Sequence, residues 1–440
     1  MMKNRILKNR IAGLLLVLIM SVGTAFSQQL DSKGTDFWLT FPANLDMGSG
    51  NIVFFSISGD APATGILGLK YVVLGYQGNI RPSQLTIVGT DTNTTVTIIP
   101  SFTQGIRVMG VPYNITLNKG EVYQVRASGA SRDVSGTQVS ADKKVAVYGG
   151  TQCVNIPTGV FACDYIVEQI PPVSTLGKRF VALPLATRNG STFRVAASED
   201  TTIVIKDGAI VATINKGEFY EVIDSNEVIF EATKPVLVAQ YCHSQNYDNA
   251  NADPFMMLIP PFEQYLGSYT VATPSNARIT NHYLNIVAPN GATGSVLLDG
   301  VLIPAGDFSP IGLTGFSGTT KAVALGSHTI SSSSPVGVHS YGFGSFDSYG
   351  YPGGQSLSEV ASADSLSLSL ATGLAPQGDT VCVIQATVLD SANNPLPGIR
   401  VDFVLKGVNP MSGFVFTDSL GVATFCYYAA NAGLDTVSAA

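Results

Sequence analysis

The chain has 440 residues, of which 45 are Gly and 23 are Pro, and only 12% carry charge, about half the share usual in soluble domains. This excludes long helices and coiled coils, which need Ala, Glu, Lys and Leu, collagen, with Gly at about every third position, and disordered tails, with high charge and few aromatics. A net charge of −7 speaks against a nucleic-acid partner, because neutralising phosphates needs a surplus of Lys and Arg.

Residues 1–27 read as a secretory signal peptide: Lys3, Arg5, Lys8 and Arg10 precede the apolar run from Ile11 to Met20, and Ala25-Phe26-Ser27 offers small residues for cleavage. Losing those four positive charges would take the mature chain to −11. No later stretch reaches the roughly 18 apolar residues of a membrane helix. A protein secreted or held at the cell surface, with no membrane span in its mature chain, is expected. Trp38, the one tryptophan, sits in Asp36-Phe37-Trp38-Leu39, where alternation puts it opposite Phe37 and Leu39, as a core residue or as a platform for a sugar ring.

From residue 28 to 354 the dominant feature is an internal repeat. Gln138-Val139-Ser140-Ala141-Asp142-Lys143-Lys144-Val145-Ala146-Val147 is answered by Ile229-Phe230-Glu231-Ala232-Thr233-Lys234-Pro235-Val236-Leu237-Val238. A third copy is Thr329-Ile330-Ser331-Ser332-Ser333-Ser334-Pro335-Val336-Gly337-Val338. Each opens at Lys144, Pro235 or Pro335 into the period-2 alternation of a strand. Downstream, Cys163-Asp164 with Ile170-Pro171-Pro172 answers Ala252-Asp253 with Ile259-Pro260-Pro261, whereas the third unit lacks this second half and runs into a Gly- and Tyr-rich stretch. Residues 355–364 are small and polar, a linker. In residues 365–440, alternating segments at Ser365–Leu370, Thr380–Leu389, Ile399–Leu405, Phe414–Thr417 and Val422–Tyr428 are separated by turn residues, the pattern of an Ig-like sandwich. The fold class is therefore all-β: repeat-related antiparallel sandwich-like units followed by an Ig-like sandwich.

Two resemblances fit this division. In Gly34-Thr35-Asp36-Phe37-Trp38-Leu39-Thr40-Phe41-Pro42, Gly120-Glu121-Val122-Tyr123, Val145-Ala146-Val147-Tyr148-Gly149-Gly150 and Cys163-Asp164-Tyr165 through Pro172, the chain resembles the N-terminal domain of the IgGFc-binding protein family. That resemblance implies an exported binding domain and carries no antibody specificity by itself. In Asn394-Pro395-Leu396-Pro397-Gly398 and Thr417-Asp418-Ser419-Leu420-Gly421-Val422-Ala423 the tail resembles a bacterial Ig-like domain of the invasin type, which implies a spacer; its pattern would continue into a last strand beyond Ala440.

Among candidate sites, Cys382 and Cys426 lie in two predicted strands and suit a disulfide across a sandwich, or two buried thiols. Cys153 and Cys163 bracket a loop and suit a stapling disulfide. Cys242 reads as a buried thiol, and the four His residues show no metal-ligand spacing. Asp248, Asn249, Asn251 and Asp253 place oxygens at alternate positions for calcium. The loop lacks the Gly and distal Glu of the helix-loop-helix calcium site, so it reads as a turn-rich surface loop and no cofactor is expected. Tyr341, Phe343, Tyr349 and Tyr351 are the candidate exposed contact surface. No nucleophile elbow, His-Glu-x-x-His or phosphate loop is present. The expected function is non-enzymatic binding or adhesion, with a protein or glycan ligand. The rivals are a structural surface-layer component without a soluble ligand and a glycan-processing enzyme with unpaired carboxylates.

Overall fold

The computed structural model describes residues 31–34, 66–127, 132–274, 278–312, 314–358, 360, 365–370, 377–390, 393–396, 399–418 and 420–439. The predicted signal peptide and Trp38 lie outside them. The chain divides into two compact units, with the boundary between Ser358 and Glu359. Every sheet is antiparallel.

The first unit contains three repeats, each built on one long strand: Gln138–Val154, Val228–Cys242 and Ser327–Gly344. The early half of Gln138–Val154 pairs with Gly68–Val72 and Thr94–Ile99, and its later half pairs with Ser83–Gly89 and Asp164–Gln169. The second repeat places Gly177–Ala182, Thr202–Lys206, Ser191–Ala197 and Met256–Ile259 in the same four positions. The third uses Leu266–Ala272, Leu297–Leu298, Ile279–Pro289 and Asp347–Pro352. Asp347–Pro352 corrects the sequence reading that the third repeat has no second half. Its composition is loop-like because Phe255 packs directly over Gly350, where a Cβ would strike the ring.

Lys144, Pro235 and Pro335 lie inside the long strands, not at their starts. In the second and third repeats the pairing register shifts across Glu231/Val236 and across the equivalent stretch before Val336. A Pro donates no ladder hydrogen bond and is tolerated at such an irregularity. The shared sequence signature thus marks the point where one strand changes partners.

Successive repeats join by one device. Arg194 and Asn285 stand at the same register position, opposite Ala239 and His339. Arg194 Nη1 and Tyr241 Oη donate to the carbonyl of Gly75 at 3.0 and 2.7 Å. One repeat later Asn285 Nδ2 donates to the carbonyl of Pro184 at 3.0 Å, and Tyr341 Oη donates to Asn285 Oδ1 at 2.9 Å. Apolar cores run across both joints: Leu237, Ala239, Tyr241, Met256 and Leu258 pack with the first repeat, Tyr341 and Phe343 with the second. The chain stays attached to this unit through Ser358, whose carbonyl accepts from Gln264 Nε2 at 2.8 Å.

The second unit is a sandwich of two three-stranded sheets, ordered Ser365–Leu370, Thr380–Leu389, Val422–Tyr428 and Met411–Phe416, Arg400–Gly407, Asp435–Ala439. The last of these strands is absent from the sequence reading. Ile384, Ala386, Val388, Val401, Phe403, Leu405 and Phe425 form its core, with Phe403 and Phe425 stacked at 4.9 Å. Cys382 is joined to Cys426, but the bond links paired neighbours of one sheet, Thr380–Leu389 and Val422–Tyr428, and does not cross the sandwich as expected from the sequence.

Candidate functional site: the loop end of the first repeat

The three repeats differ at their hairpins. Thr202–Lys206 turns into Ala209–Ile214 through Asp207 and Gly208, and Leu297–Leu298 into Val301–Leu302 through Asp299 and Gly300. All four turn residues have positive φ, as a two-residue hairpin turn demands. In the first repeat the equivalent strands, Thr94–Ile99 and Tyr113–Leu117, are joined by residues 100–112 instead. The other two repeats close the same hairpin without this loop, so the fold does not require it.

The loop's backbone is pinned. Gln104 and Arg107 exchange backbone hydrogen bonds at 2.8 and 3.1 Å, Gly110 N donates to the Pro100 carbonyl at 2.9 Å, and Val111 N to the Val108 carbonyl at 3.0 Å. Met109 N donates to Thr103 Oγ1 at 3.0 Å. The Arg107 guanidinium lies 3.8 Å over the Tyr113 ring, and Phe102 anchors the base in the core. Against this fixed backbone, Ile106 is 86% exposed, Met109 63%, and Val108 and Val111 are also exposed.

A second excursion shares this end. Residues 155–163 leave the long strand after Val154, and Cys153 is joined to Cys163 with Cα atoms 5.3 Å apart. The equivalent connection in the third repeat is the short turn at Ser345 and Phe346. Segment 77–82 lies between the two loops: Gly78 N donates to the Arg132 carbonyl at 2.9 Å, Arg132 Nη1 to Gln104 Oε1 at 3.2 Å, and Asn79 Nδ2 to the Asn155 carbonyl at 2.9 Å. Ile80 and Phe161 are exposed as well. The second repeat supports the disulfide loop from beneath, with Ser244 N donating to the Ile156 carbonyl at 2.6 Å and Asn246 N to the Phe161 carbonyl at 2.7 Å. This end is basic: Arg81, Arg107, Arg126 and Arg132 all belong to it. Burial, and then the like charge of Arg81, lower the pKa of Arg126, whose Nη2 donates to Gln152 Oε1 at 3.5 Å.

A model of the family described as IgGFc binding protein matches residues 62–342, a span that runs from before Gly68–Val72 into the last long strand and leaves out Asp31–Gly34 and Asp347–Pro352. The chain belongs to this family. It is 26% identical over 250 residues to the IgGFc-binding protein of Homo sapiens, an alignment covering 54% of this chain and 4% of the human protein; the chain therefore spans only a small fraction of that relative. Among solved structures, the crystal structure of a tetra-tandem repeat in the extending region of a large adhesion protein aligns over 84% of this chain and 98% of the other, at 11% identity and a TM-score of 0.13. So poor a superposition carries no argument.

The aromatic stretch predicted as a contact surface is corrected by this geometry. Tyr341 and Phe343 are 0% and 1% exposed, because alternation on the long strand points both into the joint with the second repeat. Tyr349 and Tyr351 are half-buried and stack on each other at 6.0 Å. The predicted calcium loop is a surface loop only in part: Asn249 and Asn251 are exposed, but the two carboxylates are not. Asp248 is buried at the end of a short helix, 3.8 Å from Arg188, and accepts from Asn189 N at 2.7 Å; Asn249 caps that helix, and Asp253 is buried. Among the described residues no group of three or more His, Cys, Asp or Glu is placed to hold a metal. Cys242 is buried and free, and burial pushes its thiol far up. The sequence reading missed Ile106, Val108, Met109 and Val111. Their signal was an apolar run bounded by Gly105, Gly110 and Pro112 and lacking either helical or strand period.

Proposed function

We propose that the chain is an exported, non-enzymatic binding protein that engages a protein partner through the loop end of its first repeat, with the second unit as an Ig-like spacer of the invasin type. The observation that carries this reading is the loop 100–112. It is an addition to a repeat that folds without it, and it holds apolar side chains in solvent on a pinned backbone, as a pre-formed interface does. Exposed aliphatic side chains among arginines suit a protein surface with apolar and acidic groups. The buried Tyr341 and Phe343 take two aromatic rings out of the contact surface expected from the sequence. Membership in a family named for binding supports the non-catalytic reading.

The test is a binding screen of the purified chain against immobilised extracellular proteins, including the immunoglobulin Fc fragment. Partners found for the wild type should lose at least ~10-fold in affinity, about 1.4 kcal/mol, with Ile106→Ser and Met109→Ser combined. Unchanged affinity for every partner would overturn the reading. So would a blank array together with self-assembly of the chain, which favours a surface-layer role.

A further inference from the structure

The joints between the repeats bury acid. In register, Gln169 faces Tyr148, Leu258 faces Ala239 and Pro352 faces His339, which are equivalent positions on the three long strands. Five residues before each lies an aspartate: Asp164, Asp253 and Asp347. Strand Met256–Ile259 packs against both Asp164–Gln169 and Asp347–Pro352. Ser348 Oγ donates to the Asp253 carbonyl, and Phe255 lies 6.2 Å from Phe343.

Asp164 is 7% exposed and Asp253 2%. Asp164 Oδ1 accepts from Tyr165 N at 2.7 Å, while Asp253 Oδ1 has no hydrogen-bond partner. Neither has a salt-bridge partner among the described residues. A buried carboxylate without a cation is costly, and a proton removes that cost.

We propose that this junction is a proton-operated latch: the carboxyls of Asp164 and Asp253 are uncharged when the repeats are closed, and their ionisation loosens the joint and the disulfide loop that rests on it. Burial, and then Asp253 and Asp347, hold Asp164 well above the usual carboxylate range. Burial and then Asp347 raise Asp253 to about 7. Burial raises Glu168, on the same strand as Asp164, to about 8, against a lowering hydrogen bond from Leu258 N. The other ionisable groups near the joint are Tyr165, Cys242 with Arg188 and Asp248 around it, and Arg278, whose carbonyl accepts from Ser345 N at the turn before Asp347. Because the folded values lie above the unfolded carboxylate range, near 4, the stabilisation is complete below about pH 4. It falls steadily as pH rises above that and is gone once pH has passed the folded values, near 7 for Asp253 and 8 for Glu168.

The mechanical link is short. Asp164 follows Cys163 directly, and Asp253 ends the segment whose Ser244 and Asn246 hold the 155–163 loop. The latch belongs to the joint and stands whether or not the loops bind a partner. Hydrogen–deuterium exchange of peptides covering 154–163 and 243–255, from pH 5.5 to 8.5 and corrected for base-catalysed chemistry, tests it. In the wild type the corrected rates should rise with pH from 5.5, by up to ~10-fold per unit for each carboxyl, and level off as the pH passes the folded values near 7 to 8, and Asp253→Asn or Asp164→Asn should flatten the rise. A wild-type profile with no pH dependence overturns the latch, as does an identical slope in both Asn variants. If the Asn variants do not fold, the wild-type profile decides.

Discussion

Arg194 shows how much one side chain holds. It is buried, yet its guanidinium reaches Asp133 Oδ2 and Glu221 Oε2 at 2.7 Å each, Ser135 Oγ at 2.9 Å and the Gly75 carbonyl, and it lies over the rings of Tyr76 and Phe219 at 4.1 and 4.4 Å. Burial works against its charge, and the carboxylates of Asp133 and Glu221 hold it firmly charged. Arg194→Met leaves the Asp133 carboxylate uncompensated at the joint and should cost about 3–5 kcal/mol, with Glu221 contributing little of that because it is partly solvated. Urea unfolding measures it, and a loss below ~1 kcal/mol would show that the network is not what joins these repeats. In sequence, Arg194 is visible as the one charge in Ser191–Ala197. Its partners are not, because Gly75 and Asp133 belong to another repeat and only the folded joint brings them near.

At the scale of elements, the strands and their repetition were legible and their pairing was not. Val-x-Val alternation betrayed the later half of each long strand. The earlier half was hidden because Lys or Pro at the partner change looks like a strand start. Asp347–Pro352 was hidden for the opposite reason, since Gly350, which makes room for Phe255, gives a true strand the composition of a loop. The tip of the hairpin loop escaped because periodicity reports burial, and Ile106, Val108, Met109 and Val111 are exposed. Replacing residues 103–112 by Asp-Gly, the turn used by the other repeats, should lower the thermal unfolding midpoint by less than ~5 °C while abolishing partner binding. A collapse of the fold would mean that the loop is structural after all.

At the scale of the molecule, the first unit is an array whose cores are shared between neighbours, so its stability is a sum of repeats and joints. A fragment of residues 173–358 loses the first repeat. It uncovers Leu237, Tyr241, Met256 and Leu258, which pack with that repeat in the whole chain. That fragment should bind the dye ANS and unfold at a lower temperature than the unit spanning all three repeats, as followed by fluorescence and circular dichroism. Equal midpoints without dye binding would show that the joints are dispensable.

The bond between Cys153 and Cys163 also bears on wear. For an exported protein, cutting by neighbouring proteases falls first on exposed loop residues such as Phe161. A cut there leaves both new ends on one covalent piece, clasped at the base of the loop, and the strands on either side keep their partners. The nicked molecule would run at full mass until reduced and would melt much like the intact one. Recognition would therefore be worn away before the body is, and neither abundance nor thermal stability would reveal it.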